Sequence, residues 1–170
     1  VPEFNENLAA AAPLVTEEIV AELCLRLEAG VADEKAFLRD TLHWTYARFP
    51  DVRPALRRRL GAVLTRFARV PNKRTHVAEA LQVLGQIARG FRAPPLRPAH
   101  LGLLRGVLLP LHRPNEMYEW RDQISLLETY HEPLVYAVVQ FLDHDPSLTP
   151  EVVESVVAAW PEGFQSNTSK

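Results

Sequence analysis

Prolines that separate stretches of helical periodicity are the feature that most constrains how this chain folds. Apolar residues recur three and four positions apart in seven stretches, and no stretch alternates apolar and polar residues as a half-buried strand does. Pro50, Pro71 and the proline-rich segment 93–98 fall between consecutive stretches. Proline ends a helix because it lacks an N–H donor and its ring clashes with the preceding turn. The chain is therefore predicted to be all-α, with seven helices joined mostly by short turns.

The boundaries of these helices follow from cap residues and prolines. Thr16 is a predicted N-cap, and Gly30 is a predicted stop because glycine readily adopts the left-handed conformation that ends many helices. Pro133 and Pro150 are expected at the first helical position, where proline is well tolerated. We therefore expect helices over about 16–29, 33–49, 51–70, 74–89, 98–111, 133–142 and 149–160.

The last predicted helix carries two further signals at its start. Thr149 is the expected N-cap, since its hydroxyl can accept a hydrogen bond from an otherwise unpaired backbone N–H. Leu148 and Val153 have the spacing of a hydrophobic staple, in which the residue before the cap packs against one in the first turn. Trp160 and Pro161 are expected to close this helix.

Pairs of the predicted helices recur about every 40 residues, which is the period of HEAT and armadillo repeats. Such hairpins in series would form a HEAT-like (armadillo-type) helical-repeat solenoid of about three and a half hairpins, with a concave face open for binding. A compact helical bundle is the alternative, because the periods are imperfect. Residues 14–170 are expected to form one domain that is truncated at its C-terminal end, and residues 1–13 to be disordered or foreign to it.

Composition and motifs exclude several classes of function. The single cysteine, Cys24, lies in an apolar helical stripe, which excludes an intramolecular disulfide and favours a reducing compartment, the cytoplasm or the nucleus. No apolar run is long enough to span a membrane. No two of the six histidines stand four residues apart, and no glycine-rich phosphate loop occurs. We expect no enzymatic activity, no metal, no cofactor and no membrane partner.

The formal net charge of −2 conceals a basic middle between two acidic ends. Residues 1–40 carry nine acids and three bases, residues 41–111 carry thirteen bases and two acids, and residues 112–170 carry ten acids and three bases. Like charge concentrated on one surface attracts anions. One interpretation is a groove for acidic or phosphorylated partners, and a second is a module that binds nucleic acid or another polyanion. Against the second, aromatic residues are not interleaved with the arginines for base stacking.

The side chains that best suggest a binding site form pairs on three successive predicted helices. The members of each pair are three or four residues apart and so share a helix face. These pairs are His43 with Tyr46, Arg53 with Arg57, and Val83 with Ile87. An apolar pair rimmed by arginines and histidines would suit a short extended peptide with hydrophobic anchors and an acid. The alternative is that Val83 and Ile87 simply widen the ordinary core.

Several short sequence segments occur in the same order as in a known protein family. They are FLRDTLHWTYARF at 37–49, VAEALQVLGQI at 77–87, VLLPLH at 107–112 and YHEPLVYAVVQFL at 130–142. Over about residues 32–170 the chain resembles the B-prime regulatory subunits of protein phosphatase 2A. The resemblance implies a HEAT-like solenoid longer than this chain, with no catalytic activity of its own.

This resemblance also implies partners and a binding groove. Family members bind Leu-x-x-Ile-x-Glu motifs, often with acids or phosphoserine nearby, in a groove between adjacent repeats, and associate with the phosphatase scaffold and catalytic subunits. The implied groove residues are His43, Tyr46, Arg53, Arg57, Val83, Ile87, Arg97 and His100. Tyr46, Val83 and Ile87 would hold the apolar anchors. The basic side chains would meet the glutamate or its flanking negative charge.

The chain departs from the family pattern at three places near this groove and at one insert. Trp44 stands where an arginine is usual, Gln82 replaces a glutamate, and Pro50 replaces an apolar residue. Loss of a guanidinium at position 44 is expected to weaken recognition of acidic or phosphorylated flanking positions. A longer insert covers about 113–128. The core motif is expected to bind with an altered flanking preference.

Overall fold

The computed structural model of the chain describes residues 10, 12–30, 32–70, 75–91, 95–113 and 127–159. Within these ranges every regular element is helical, which confirms the all-α prediction. The α-helices are α1 (Glu17–Ala29), α2 (Lys35–Arg48), α3 (Arg53–Arg69), α4 (Val77–Arg89), α5 (Pro98–Leu103), α6 (His131–His144) and α7 (Thr149–Ala158). Short 3-10 turns precede several of them, at Ala12–Leu14, Ala32–Glu34, Pro50–Val52 and Pro146–Leu148.

Helix α1 has the ends that its sequence predicts. Thr16 precedes it with extended backbone, and Gly30 follows it with φ 66° and ψ 46°. The Gly30 N–H donates to the Arg26 carbonyl at 3.1 Å, which satisfies one of the carbonyls left unpaired at a helix end. Gly30 in the sequence therefore predicted the end of α1 correctly.

Helix α5 does not stop at Leu103 but continues in altered form to His112. It passes through a π-helical turn at Leu104–Leu108 and a 3-10 turn at Leu109–His112. The Leu109 N–H donates to the Leu104 carbonyl, five residues back. The change of register lies directly before Pro110, which has no N–H to continue the α-helical ladder. The whole run Pro98–His112 matches the predicted fifth helix.

The predicted starts of α4 and α6 were wrong. Helix α4 begins at Val77 instead of residue 74, which lies outside the described residues. Helix α6 begins at His131, so Pro133 is its third residue. Proline fits there because the first four N–H groups of a helix have no intrahelical acceptor, so its missing donor costs nothing. Proline is therefore tolerated throughout the first turn of a helix. The position of Pro133 alone did not determine where α6 begins.

The predicted start of α7 was also wrong, by one residue. Thr149 is the first helical residue, Leu148 is the N-cap and Pro150 is second. The staple between Leu148 and Val153 is absent, since Val153 is 53% exposed and Val152 is buried instead. The preceding 3-10 turn advances the helix by one position and so brings Val152 onto the inner face. The predicted close at residues 160–161 lies outside the described residues, as does most of the 113–128 insert.

The helices form two layers. In one layer α1 packs on α3, α3 packs on the run that begins with α5, and the end of that run packs on α7. In the other layer α2 packs on α4, and α4 packs on α6. Each helix thus contacts the helix two positions along the chain, as in stacked helical hairpins. The arrangement is an all-α helical-repeat solenoid, and it confirms that prediction over the compact bundle.

The core runs continuously between the two layers. Its fully buried large side chains are mostly leucines, among them Leu42, Leu56 and Leu81. Cys24 is buried here as predicted, and burial raises the pKa of its thiol to about 12. Helix α4 packs against α6 at Gly85, where an added Cβ would lie 2.5 Å from the Tyr136 ring. A side chain at Gly85 would therefore force the Tyr136 ring to move.

Candidate functional site

A cavity of about 330 Å³ opens where one helical pair meets the next. Its walls are the end of α2, the turn at Pro50–Val52, the first turns of α3, the residues after α4 and the start of α5. Five of the eight predicted site residues line it: Tyr46, Arg53, Arg57, Arg97 and His100. We call it the arginine cavity. The structure thus brings together residues 54 positions apart in sequence, from Tyr46 to His100.

Arg53 reaches the arginine cavity by closing the end of α2. Its Nε donates to the Tyr46 carbonyl at 2.8 Å and its Nη2 to the Ala47 carbonyl at 3.0 Å. These carbonyls belong to the last turn of α2, where no following helical N–H is available. A cation is also favoured there because the helix dipole is negative at its C-terminus. The Pro50 turn allows this contact because it folds α3 back against α2.

Tyr46 lies against two guanidinium groups. Arg57 Nη1 donates to the Tyr46 hydroxyl at 2.7 Å. The guanidinium carbon lies 5.2 Å from the ring centroid for Arg53 and 5.8 Å for Arg57, within range of cation–π attraction. Tyr46 therefore fixes both cations at the wall of the cavity, and its own hydroxyl accepts instead of remaining unpaired.

His100 lies flat on Phe91. The two rings are stacked with centroids 3.7 Å apart and an interplanar angle of 3°, and Phe91 in turn packs edge-on against Phe141 of α6. His100 Nδ1 is shielded from solvent and has no hydrogen-bond partner. Burial, with the positive charges of Arg57 and Arg97, lowers the pKa of His100 below its usual value. The imidazole is therefore neutral at pH 7.

Three predicted site residues lie outside the lining of the arginine cavity. His43 is exposed on α2, about one turn before Tyr46 on the same helix face, and it does not line the cavity. Val83 and Ile87 are 0% and 2% exposed and belong to the core. Of the two interpretations of this pair, the wider core is confirmed and the exposed apolar pair is wrong, because α4 is covered by α2 on one side and by α6 on the other. Contact of these three residues with a peptide stays a prediction.

Sequence reasoning missed most of the apolar part of the cavity lining. This part is supplied by Pro50, Pro54, Phe91, Pro95 and Leu96. Of these five, the sequence placed only Pro50 near the groove, although four of them lie in or beside the proline-marked turns. The signal was therefore present, since prolines cannot continue a helix and so collect at the junctions where consecutive hairpins leave room.

The arginine cavity is chemically suited to an acid. Among the described residues that line it there are three arginines and no carboxylate. Arg53 and Arg57 already use some of their donors within the chain, whereas Arg97 is exposed and makes no ion pair within the described ranges. A carboxylate bound here would gain charge-assisted hydrogen bonds of about 1.5–3 kcal/mol each. Apolar side chains beside it would contact the proline, leucine and phenylalanine walls.

A second cavity, of about 340 Å³, lies between the α5 run and α7. We call it the α5–α7 cavity. Arg105 and Arg113 line it together with Leu109 and Pro110, but Glu151 also lines it. Arg105 donates to both oxygens of Glu151, from Nε at 2.6 Å and from Nη2 at 2.8 Å. The Arg105 guanidinium is therefore already occupied by a carboxylate of the same chain.

Metal sites and membrane-spanning helices are two further features that would bear on function. Within the described ranges, no group of three or more histidine, cysteine, aspartate or glutamate side chains is placed to hold a metal ion. None of the helices in those ranges combines the length and apolar character that a membrane crossing requires. The arginine cavity is the described feature that best matches the predicted site.

Comparison with known proteins identifies relatives over nearly the whole chain. Residues 2–170 match the family model described as protein phosphatase 2A regulatory B subunit (B56 family). The chain is 33% identical over 161 residues to the serine/threonine-protein phosphatase 2A 56 kDa regulatory subunit delta isoforms of Saccharomyces cerevisiae and of Homo sapiens, in each case over 95% of its length. It is 33% identical over 165 residues, or 97% of its length, to the regulatory subunit pptr-1 of Caenorhabditis elegans. The chain spans 20%, 25% and 28% of the lengths of these three relatives, respectively.

Proposed function

Since the chain belongs to the B56 family of protein phosphatase 2A regulatory B subunits, we propose that it is a non-catalytic recognition segment of such a subunit. It binds short acidic motifs of the form Leu-x-x-Ile-x-Glu in substrates or adaptors. The phosphatase activity belongs to another chain, in keeping with the description of the relatives as regulatory subunits. The observation that carries the proposal is the arginine cavity, in which three arginines and a stacked histidine meet without a carboxylate.

The proposed binding mode assigns the acid and the apolar anchors to different walls. The motif glutamate enters between Arg57 and Arg97, where its charge opposes two guanidinium groups. An apolar anchor packs on Leu96 and Phe91. Tyr46 holds Arg57 in position by accepting its hydrogen bond.

The proposed mechanism is tethering. A regulatory subunit that holds a motif in its groove raises the effective concentration of the attached protein at the active site of the phosphatase. The proposed partners are therefore proteins that carry the motif, together with the phosphatase scaffold and catalytic subunits. The assembly is proposed to work in the reducing cytoplasm or nucleus, which suits a chain whose single cysteine forms no intramolecular disulfide.

Binding of a polyanion such as nucleic acid is the alternative, and the structure gives it less support. Two of the arginines on α3 that would form a basic surface are engaged within the chain. Arg58 pairs with Glu17 at 3.0 Å and Arg66 with Glu28 at 2.8 Å. A polyanion would bind regardless of peptide sequence and with a steep loss of affinity as salt rises, whereas motif binding depends on the leucine and isoleucine.

The proposed function is tested by calorimetric titration with a Leu-x-x-Ile-x-Glu peptide and with the same peptide carrying alanine at both apolar positions. We expect micromolar affinity that is lost in the alanine peptide. Arg97→Glu should weaken binding at least about tenfold, because it puts a carboxylate where the peptide carboxylate binds. Arg113→Glu is the matched control, since Arg113 lines the α5–α7 cavity. Equal affinity for both peptides, or equal loss in both variants, would contradict the proposal.

A further inference from the structure

The stacked pair of His100 and Phe91 has a property that the proposed motif binding does not use. The ring of His100 lines the arginine cavity, yet its Nδ1 is shielded and unpaired. A neutral imidazole can leave this nitrogen as an unprotonated acceptor, which is tolerable. An imidazolium must carry a proton on both ring nitrogens and would place an unpaired donor in a shielded position. The lining of the arginine cavity therefore favours the neutral form of His100.

The charges around His100 act in the same direction. The titratable groups that face the stacked pair from the surrounding elements are Tyr46 on α2, Arg53 and Arg57 on α3, Arg97 before α5, and His144 on α6. None of these is a carboxylate. The His144 Nε2 lies 3.2 Å from the Arg89 carbonyl, so His144 has a backbone partner of its own. Among the described residues, His100 thus has neutral or positive titratable neighbours, and an acidic ligand would bring a negative charge beside it.

We propose that entry of an acidic peptide into the arginine cavity is coupled to protonation of His100, so that the site binds carboxylate motifs more tightly as the pH falls from 8 to 6. The inference rests on the proposed function, and it adds proton uptake as a regulatory feature of the same site. The peptide carboxylate offsets part of the positive field of Arg57 and Arg97, and this electrostatic change makes the imidazolium less unfavourable although its Nδ1 stays shielded.

The sign of the effect follows from linkage. In the free protein, burial and the two arginines hold the pKa of His100 below its usual value. In the complex, the nearby carboxylate raises that pKa, so the bound protein carries more protons than the free protein between the two values. Affinity therefore increases as the pH falls through that window. It decreases again only near pH ~4, where the peptide glutamate itself is protonated.

Calorimetry of the wild-type protein with an unphosphorylated motif peptide tests the coupling. Titrations in two buffers of different ionisation enthalpy give the number of protons taken up on binding. We expect net proton uptake near neutral pH, and an affinity about three- to tenfold higher at pH 6 than at pH 8. Binding with no proton uptake and no pH dependence would overturn the coupling while leaving the proposed function intact. No binding at any pH would overturn both.

Two variants test whether His100 is the group that takes up the proton when the peptide binds. His100→Gln should abolish both the proton uptake and the pH dependence, because glutamine does not titrate. His131→Gln is the control, since His131 is exposed at the start of α6, outside the lining of the cavity. It should behave like the wild-type protein. Unchanged proton uptake in His100→Gln would overturn the assignment.

A measurement on the unmodified protein covers the case in which His100→Gln does not fold. NMR titration of the imidazole Cε1–H signals gives the pKa of each histidine with and without the peptide. We expect the His100 signal to titrate at a higher pH in the complex than in the free protein. A His100 signal whose titration is the same with and without bound peptide would overturn the coupling.

Discussion

The arginine cavity and the α5–α7 cavity have nearly the same volume, about 330 and 340 Å³, and differ in what their arginines contact. In the α5–α7 cavity, Arg105 holds Glu151 through two short hydrogen bonds. In the arginine cavity, Arg53 and Arg57 are held by backbone carbonyls and by a phenol. The first arrangement neutralises the guanidinium, whereas the second positions guanidinium groups without neutralising them.

This difference shows how a chain can present positive charge without losing its geometry. A carboxylate partner would order an arginine but would also compete with any acidic ligand. A tyrosine hydroxyl or a helix-terminal carbonyl orders an arginine and leaves its charge available. Residues 41–111 contain thirteen bases. Whether a given base can bind an acidic ligand depends on the contacts that its side chain makes, more than on this total.

The largest expected effect comes from giving the arginine cavity the carboxylate that it lacks. Arg57→Glu reverses a charge on its wall and breaks the hydrogen bond to Tyr46. We expect affinity for the motif peptide to fall by about 100-fold or more, measured by calorimetry. Circular dichroism melting checks that the variant is folded. Retained affinity in a folded variant would mean that the acid binds elsewhere.

A smaller effect is expected when the phenol is removed but the ring is kept. Tyr46→Phe deletes the acceptor of the Arg57 hydrogen bond while preserving the ring surface under both guanidinium groups. Peptide affinity should fall by about three- to tenfold, because a net hydrogen bond is worth about 1 kcal/mol and Arg57 becomes less ordered. Thermal stability should change little. An affinity equal to that of the wild-type protein would show that Tyr46 does not position Arg57 for binding.

Removing a carboxylate from the α5–α7 cavity should make it resemble the arginine cavity in its ability to bind an anion. Glu151→Gln removes the carboxylate from Arg105 and leaves two arginines in that cavity. We expect weak anion binding, at millimolar phosphate, seen as NMR shifts of the residues around Arg105 in the variant and not in the wild-type protein. Motif-peptide affinity should be unchanged. Phosphate binding of equal strength in both proteins would contradict the role assigned to Glu151.

The smallest effect concerns stability at acid pH. The hydrogen bonds from Arg105 lower the pKa of Glu151, so this carboxylate contributes stability above its unfolded pKa and loses it as the pH falls through the folded pKa. The pair is half-exposed, so the contribution is small. Melting temperatures of the wild-type protein and Glu151→Gln should differ slightly at pH 7 and converge below about pH 4. A difference that grows in acid would contradict this sign.

The sequence predicted local features well where local chemistry decides them. Gly30 ends α1 through its own backbone preference, and the proline-marked breaks fall between the observed helices. Helix starts were less accurate, since Pro133 is tolerated anywhere in the first turn and a 3-10 turn moved α7 by one residue. The division of the chain at residue 14 stays a prediction.

Only part of the site was predicted from the sequence. The rest depends on burial, which is decided by neighbours far along the chain. Val83 and Ile87 have the spacing of a surface pair, but α2 and α6 cover both flanks of α4. The pairing of Arg105 with Glu151, 46 residues apart, also has no local signal. The family resemblance supplied Arg97 and His100, which the structure places at the arginine cavity. No periodicity in the sequence would have selected them.

Chemical-shift mapping with an isotopically labelled protein tests the central claim most directly. The claim is that an acidic Leu-x-x-Ile-x-Glu peptide binds in the arginine cavity. Titration of the peptide should shift the signals of Tyr46, Arg97 and His100 and leave those of Arg105 and Glu151 unchanged. Shifts concentrated at the α5–α7 cavity, or no shifts at peptide concentrations well above micromolar, would contradict the account.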